Sequence, residues 1–209
     1  MIEVDARGIE QAQELLKDIP GASKKAVSTA LRKSLRNAKK EAIKKVRERY
    51  TIRKAGYVSR TIKMKVENMA GILSSKGPVN DLAYFKTNPK TVPKRRPPAG
   101  KYLYSQVVKG QGGTIAHAFL AKMKSGHVGV FQRAGKNANS VPSYWRSTWG
   151  WGAHKGRGVK EAIKKLSGPS TPQMLGSPSV TEFVAKKMLE RMDKNLEHEI
   201  DAFLKGYRR

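Results

Sequence analysis

Apolar residues recur at helical spacing from Val27 to Tyr50, at Val27, Ala30, Leu31, Leu35, Ala38, Ala42, Val46 and Tyr50. This spacing predicts one long helix over residues 22–50, roughly 40 Å at ~1.5 Å per residue. A second helical pattern, over 179–205, places Ala185, Leu189, Met192, Leu196, Ile200 and Phe203 on one face. Ser179 and Glu182 give it a capping-box pattern after Pro178, and Gly206 suits its C-terminal end. A shorter helix over 8–19, with Ile9, Ala12, Leu16 and Ile19, stops at Pro20-Gly21.

Between the long helices the period shortens to two. Ile62, Met64 and Val66 alternate with Lys63 and Lys65, then Glu67-Asn68 turns and Ala70–Leu73 returns. This predicts a hairpin over 58–66 and 69–75. Leu103, Ser105 and Val107 alternate with Tyr104, Gln106 and Val108 before the Gly110-Gln111-Gly112-Gly113 turn. Residues 117–133 read as two apolar segments, Ala118–Met123 and His127–Arg133, joined at Lys124-Ser125-Gly126. Phe119, Met123, Val128 and Val130 are the expected core of this hairpin, and Gly126 supplies a turn with positive φ. The fold expected is α+β: an antiparallel sheet of four to five strands (57–133) packed against a long N-terminal and a long C-terminal helix, in a single domain over 1–209.

Two stretches fit neither period. Residues 86–100 carry four prolines and Lys94-Arg95-Arg96, and read as an extended basic arm, either mobile or ordered by a partner. Residues 134–158 hold all three tryptophans, Trp145, Trp149 and Trp151, among Arg146, Lys155 and Arg157. Such rings pin a loop to its own core, anchor a protein contact or stack on bases. Val159–Leu166 reads as a short helix or strand, followed by a sharp connector at Ser167–Pro172.

Charge changes the picture most. Forty-three Lys and Arg against 16 Asp and Glu give a net charge of +27. That excess calls for a polyanionic partner, an acidic protein surface or an assembly that neutralises it. It is concentrated on the predicted long helix, where Arg32, Arg36, Lys39, Lys40, Lys44 and Arg47 face only Glu41 and Glu48. The face is either solvated or polyanion-facing. Cysteine is absent, which excludes disulfides and thiolate metal sites and fits a reducing compartment. Neither a signal peptide nor a membrane span is expected.

No phosphate-loop or nucleophile-elbow motif is present, and Gly150–Gly156 misses the dinucleotide spacing by one residue. His117 and His127 are placed to face each other across the hairpin, but without carboxylate partners they are poor evidence of a metal. Catalytic, metal and cofactor-binding residues are therefore not expected, nor is an enzyme.

The residues Ala118-Phe119, Met123, Ser125-Gly126-His127, Gly129-Val130-Phe131 and Arg133 resemble the AF…M.SGH.GVF.R signature of the prophage minor tail protein Z family. Ile163, Leu166 and Gly168-Pro169-Ser170 resemble its I..L.GPS segment. The helices at the front, and Leu82 and Phe85, are similar too, while the 134–158 loop is longer and richer in Trp than the family pattern. The resemblance implies a structural virion protein of a tailed bacteriophage, assembled in the host bacterial cytoplasm. It implies tail completion and head-tail joining at the neck, as a homo-oligomeric and most plausibly hexameric ring. The partners implied are further copies of itself, neck or connector proteins, tail terminator or tail tube proteins, and the viral DNA passing through the neck, with no membrane. Gly126, His127, Phe131, Arg133, Trp145, Trp149, Trp151, Lys94, Arg95 and Arg96 are the interface candidates. The alternative is a stand-alone basic nucleic-acid-binding accessory protein.

Overall fold

The computed structural model describes residues 8–19, 21–67, 69–95, 102–133 and 163–206. The chain gathers into two compact units, one from residues 1–79 with 169–209 and one from 80–168.

The first unit is built on two long helices. Helix α1 (Gly8–Leu15) precedes α2 (Ala22–Arg49), and α3 (Ala55–Ser59) leads into strands β1 (Ile62–Glu67) and β2 (Ala70–Ser75). The chain returns through α4 (Thr171–Leu175) and α5 (Pro178–Leu204). The α2 stripe is buried as its spacing predicts, from Val27 through Val46 to Tyr50. Helices α2 and α5 run antiparallel, because Ser34 accepts from Asn195 at 2.8 Å while Arg49 donates to Ser179 at 2.6 Å. Ala12 and Leu16 join the same core as Leu31, Met192, Leu196 and Phe203, with Val66 and Met69 packed against it.

Two expectations for α5 need correction. The buried face is Val180, Val184, Met188, Met192, Leu196, Ile200 and Phe203, whereas Leu189 is 44% exposed and Ala185 half-buried. Both sets have helical spacing, and the partner decides between them: Met188 packs against Leu31 and Leu35 around the bare backbone of Gly71 in β2. The helix also starts one residue earlier, with Pro178 at the first turn and Ser177 as N-cap. Proline has no N–H to satisfy and its φ is preset for that position. The capping box lies instead at Ser170, whose Oγ accepts from Gln173 N–H at 3.3 Å while Gln173 Oε1 accepts from Ser170 N–H at 2.8 Å.

Strands β1 and β2 pair antiparallel from Ile62↔Ser75 to Glu67↔Ala70. The strand expected from residue 58 begins at 62, because Val58 is buried on α3.

The second unit carries a 3-10 turn (Leu82–Tyr84), then β3 (Lys86–Asn88), β4 (Leu103–Val108), β5 (Gln111–Ile115), β6 (Ala118–Lys122), β7 (Val128–Arg133) and β8 (Ile163–Lys165). Its antiparallel sheets are β3-β4-β5 and β6-β7-β8. The α+β class therefore stands, but the described strands number eight in three small sheets rather than four to five in one. Two misreadings account for much of this. The glycine-rich Gln111–Gly113 is strand, the turn itself falling at Lys109-Gly110, since glycine permits a turn without requiring one. Lys86–Asn88, read as the start of the basic arm, pairs with β4 and buries Thr87. Beyond it Lys94 and Arg95 are exposed outside regular structure. Arg96 and the rest of the arm to residue 100, and the 134–158 loop with Trp145, Trp149 and Trp151, lie outside the described residues.

The two readings of α5 separate cleanly by mutation. Met188→Ala should lower stability by about 2–4 kcal/mol by opening a cavity, and Leu189→Ala by well under ~1 kcal/mol. Equal losses in denaturant unfolding would contradict the assigned face.

Candidate assembly surfaces

The 117–133 hairpin is held from inside. Phe119 pairs with Phe131 in register, their rings 6.3 Å apart, and Ala118, Leu120, Val130 and Phe131 are buried. Met123 and Phe119 are half-buried and Val128 is 37% exposed, so only Val130 of the four expected core residues is fully inside. The turn is closed by Met123 N–H to His127 O at 2.8 Å and Gly126 N–H to Met123 O at 2.9 Å. Gly126 has φ +84° and open space around it, so conformation rather than contact demands glycine there.

His127 does not face His117. Its Nε2 lies 2.7 Å from Oδ2 of Asp81, and Lys165 Nζ lies 3.0 Å from the same oxygen. Asp81 Oδ1 accepts from Ala83 N–H at 3.2 Å, so the buried carboxylate also caps the 3-10 turn. His117 instead meets the edge of Tyr102, at 5.3 Å between centroids. Asp81 is the residue that sequence reading missed. A lone carboxylate 46 positions before its histidine leaves no periodic trace.

The segment after β8 completes this knot. Leu166 N–H donates to Val130 O at 2.9 Å, and Gly168 N–H to Asn80 O at 2.8 Å. A side chain on Gly168 would put its Cβ 2.5 Å from the buried ring of Phe85. His127, Phe131, Leu166 and Gly168 thus serve one structural centre around Asp81 and Phe85, while Gly126 only shapes the hairpin turn. Phe131 is core rather than an exposed contact. Arg133 ends β7 in register with Ile163, and its side chain is outside the described residues.

The basic candidates gather elsewhere, on α2. Arg32, Arg36, Lys40, Lys44 and Arg47 are exposed and fall within about a third of the helix circumference. Among the described residues none of them has an acidic partner. Lys39 differs: its Nζ donates to Ile62 O at 2.9 Å, tying α2 to β1. Helix α5 is mixed in charge by comparison. There the hydrogen bond from Lys187 at 2.7 Å, then the fields of Lys187, Lys186 and Lys194, hold the Glu190 carboxyl below its ordinary pKa. Beside the α2 stripe a groove of about 210 Å³ is lined by Arg32, Leu35, Arg36, Met64 and Val66. Met64 is 42% exposed there.

The chain falls in a class of structural proteins of bacteriophage tails. A family model described as prophage minor tail protein Z (GPZ) matches residues 6–209, and the chain belongs to that family. No curated protein and no solved structure matches it. Among the described residues no helix is long and apolar enough to cross a membrane, and no three His, Asp or Glu are grouped to hold a metal ion.

If Asp81 centres the knot, Asp81→Ala should cost about 2–4 kcal/mol, stranding several donors at once. His127→Ala should cost less, because Lys165 still reaches the carboxylate. A larger loss for His127→Ala in chemical denaturation would overturn this ranking. Gly168→Ala should cost about 1–3 kcal/mol by overpacking Phe85, and unchanged stability would refute that contact.

Proposed function

We propose that this protein completes the head-proximal end of the phage tail and joins it to the capsid connector as a subunit of a closed hexameric ring assembled in the host cytoplasm. The observation that carries the reading is the family match along residues 6–209. Physical features support it. Ring closure needs two complementary faces on each subunit and no chemical step. The Asp81 knot ties the hairpin to the 3-10 turn and to β8, and such a held framework suits an assembly subunit. Gly126 and His127 sit at its tip, where the tip, the arm through Lys94, Arg95 and Arg96, and the loop carrying Trp145, Trp149 and Trp151 are the proposed reach toward neighbouring copies, neck proteins and tail terminator or tube proteins. Viral DNA threading the neck is the further proposed partner of the basic surface.

Two measurements test this. Negative-stain microscopy of the purified protein should show closed rings of uniform diameter. Immunogold labelling of virions should mark the head-proximal tail end, and phage carrying a stop codon in this gene should lose infectivity that plasmid-borne protein restores. Label at the distal tip, or full infectivity without the protein, would sink the proposal.

A further inference from the structure

We infer that the α2–β1 groove is a binding site for the phosphodiester backbone of duplex DNA, with Arg32 and Arg36 as its anion-binding residues. The inference rests on the neck-ring reading for its biological setting and on the groove's own chemistry for its ligand.

Arg32 and Arg36 are one helical turn apart, both exposed, and both line the groove of about 210 Å³. Leu35, Met64 and Val66 line it alongside the two arginines. Two arginines and three apolar side chains around one groove suit a charged phosphate joined to a largely apolar sugar, and the planar fork of Arg suits phosphate oxygens. The groove opens onto a longer line of cations. Arg32, Arg36, Lys40 and Arg47 run for about 22 Å along the helix at ~1.5 Å per residue, all exposed and, among the described residues, without acidic partners. Lys39 is excluded from the site because its ammonium is engaged by Ile62 O.

The length of that line favours nucleic acid over an acidic protein. A protein surface would have to present carboxylates along the whole stretch without an intervening cation. Helix α5 shows how ordinary helices behave, with Lys187 against Glu190 and Lys205 against Asp201. A duplex offers one negative charge per ~1.7 Å of axis without interruption. Recognition here is of the backbone, so binding should be blind to sequence.

The test is fluorescence anisotropy of the full chain with a short labelled duplex of mixed sequence, titrated at several salt concentrations. The variants are Arg32→Gln with Arg36→Gln, and, as a control of equal charge change, Lys186→Gln with Lys194→Gln on the exposed face of α5. All four side chains are exposed, so melting temperatures should match the parent. The Arg pair should make the salt dependence shallower by about two, at roughly 0.9 per lost phosphate contact. The Lys pair should leave it near that of the parent. Equal effects of the two pairs would reduce binding to bulk charge and overturn the site. Absence of duplex binding at low salt, or capture of polyglutamate in its place, would overturn it too. Microscopy of the same preparations keeps the two readings apart. Rings with an unchanged salt slope in the Arg variant refute the groove alone, and a lost slope without rings refutes the tail-completion reading alone.

Discussion

The helical unit is made from both ends of the chain, so the residues inserted between them must leave and return at neighbouring points. That constraint is met at one place. Gly168 N–H reaches Asn80 O, Asp81 bridges Ser167 and Leu82 N–H reaches Leu166 O. Closing so long a loop costs entropy that grows with the logarithm of its length, and local contacts must offset it. Asp81 does so by concentrating several ties on one buried carboxylate. Its backbone joins the exit segment, its Oδ1 caps the 3-10 turn, and its Oδ2 holds the hairpin through His127 and β8 through Lys165. Phe85 adds the apolar half, packed so closely on Gly168 that no side chain fits there.

The helical unit solves a different problem, that of register. A seam of Ala, Leu, Val and Met between two antiparallel helices tolerates a slide of one turn. The polar members of the seam do not. Ser34 meets Asn195, and Lys33 reaches the fully buried Glu199. A one-turn slip would strand a carboxylate among apolar side chains, at a penalty of several kcal/mol. These pairs are weak contributors to net stability, but they penalise the wrong alignment, which an apolar stripe alone cannot do.

This division explains what was legible in the sequence. Helix α2 was read almost to the residue because ten buried positions keep one period along it. The face of α5 was read correctly from Met192 to Phe203 and a step out before it, since Leu189 and Met188 are equally apolar and only the β2 neighbour distinguishes them. The hairpin strands and the positive φ of Gly126 were visible from alternation and one turn residue. The partition into small sheets was not, because pairing partners are a tertiary choice that alternation does not encode. Asp81 was invisible for the same reason. Its partners are distant in sequence, and an isolated acidic residue before a short apolar run reads as surface. For the candidate site, the α2 stripe was plain in the charge pattern. What the sequence could not separate was Lys39, spent on an internal hydrogen bond, from Arg32 and Arg36, which are not.

The basic stripe is retained against the interest of the helix that bears it. Arg32, Arg36 and Lys40 stand four residues apart, and like charges at that spacing each cost a few tenths of a kcal/mol. A Glu at any of these exposed positions would turn repulsion into attraction without touching the core. Helix α2 sustains the repulsion only because its opposite face is buried against α5 and the β1–β2 hairpin, in cohesion far larger than the surface penalty. Local rules broken without structural gain mark functional positions. The rule is broken here over successive turns on one side of a helix that follows it elsewhere, at Lys45–Glu48, while α5 in the same unit follows it with Lys187–Glu190 and Lys205–Asp201 pairs. The contrast lies within one fold and one overall charge, so net charge alone does not account for it. What differs is the surface each helix faces outward, and a surface kept cationic along successive turns at a cost to its own helix is consistent with the anion site proposed on α2.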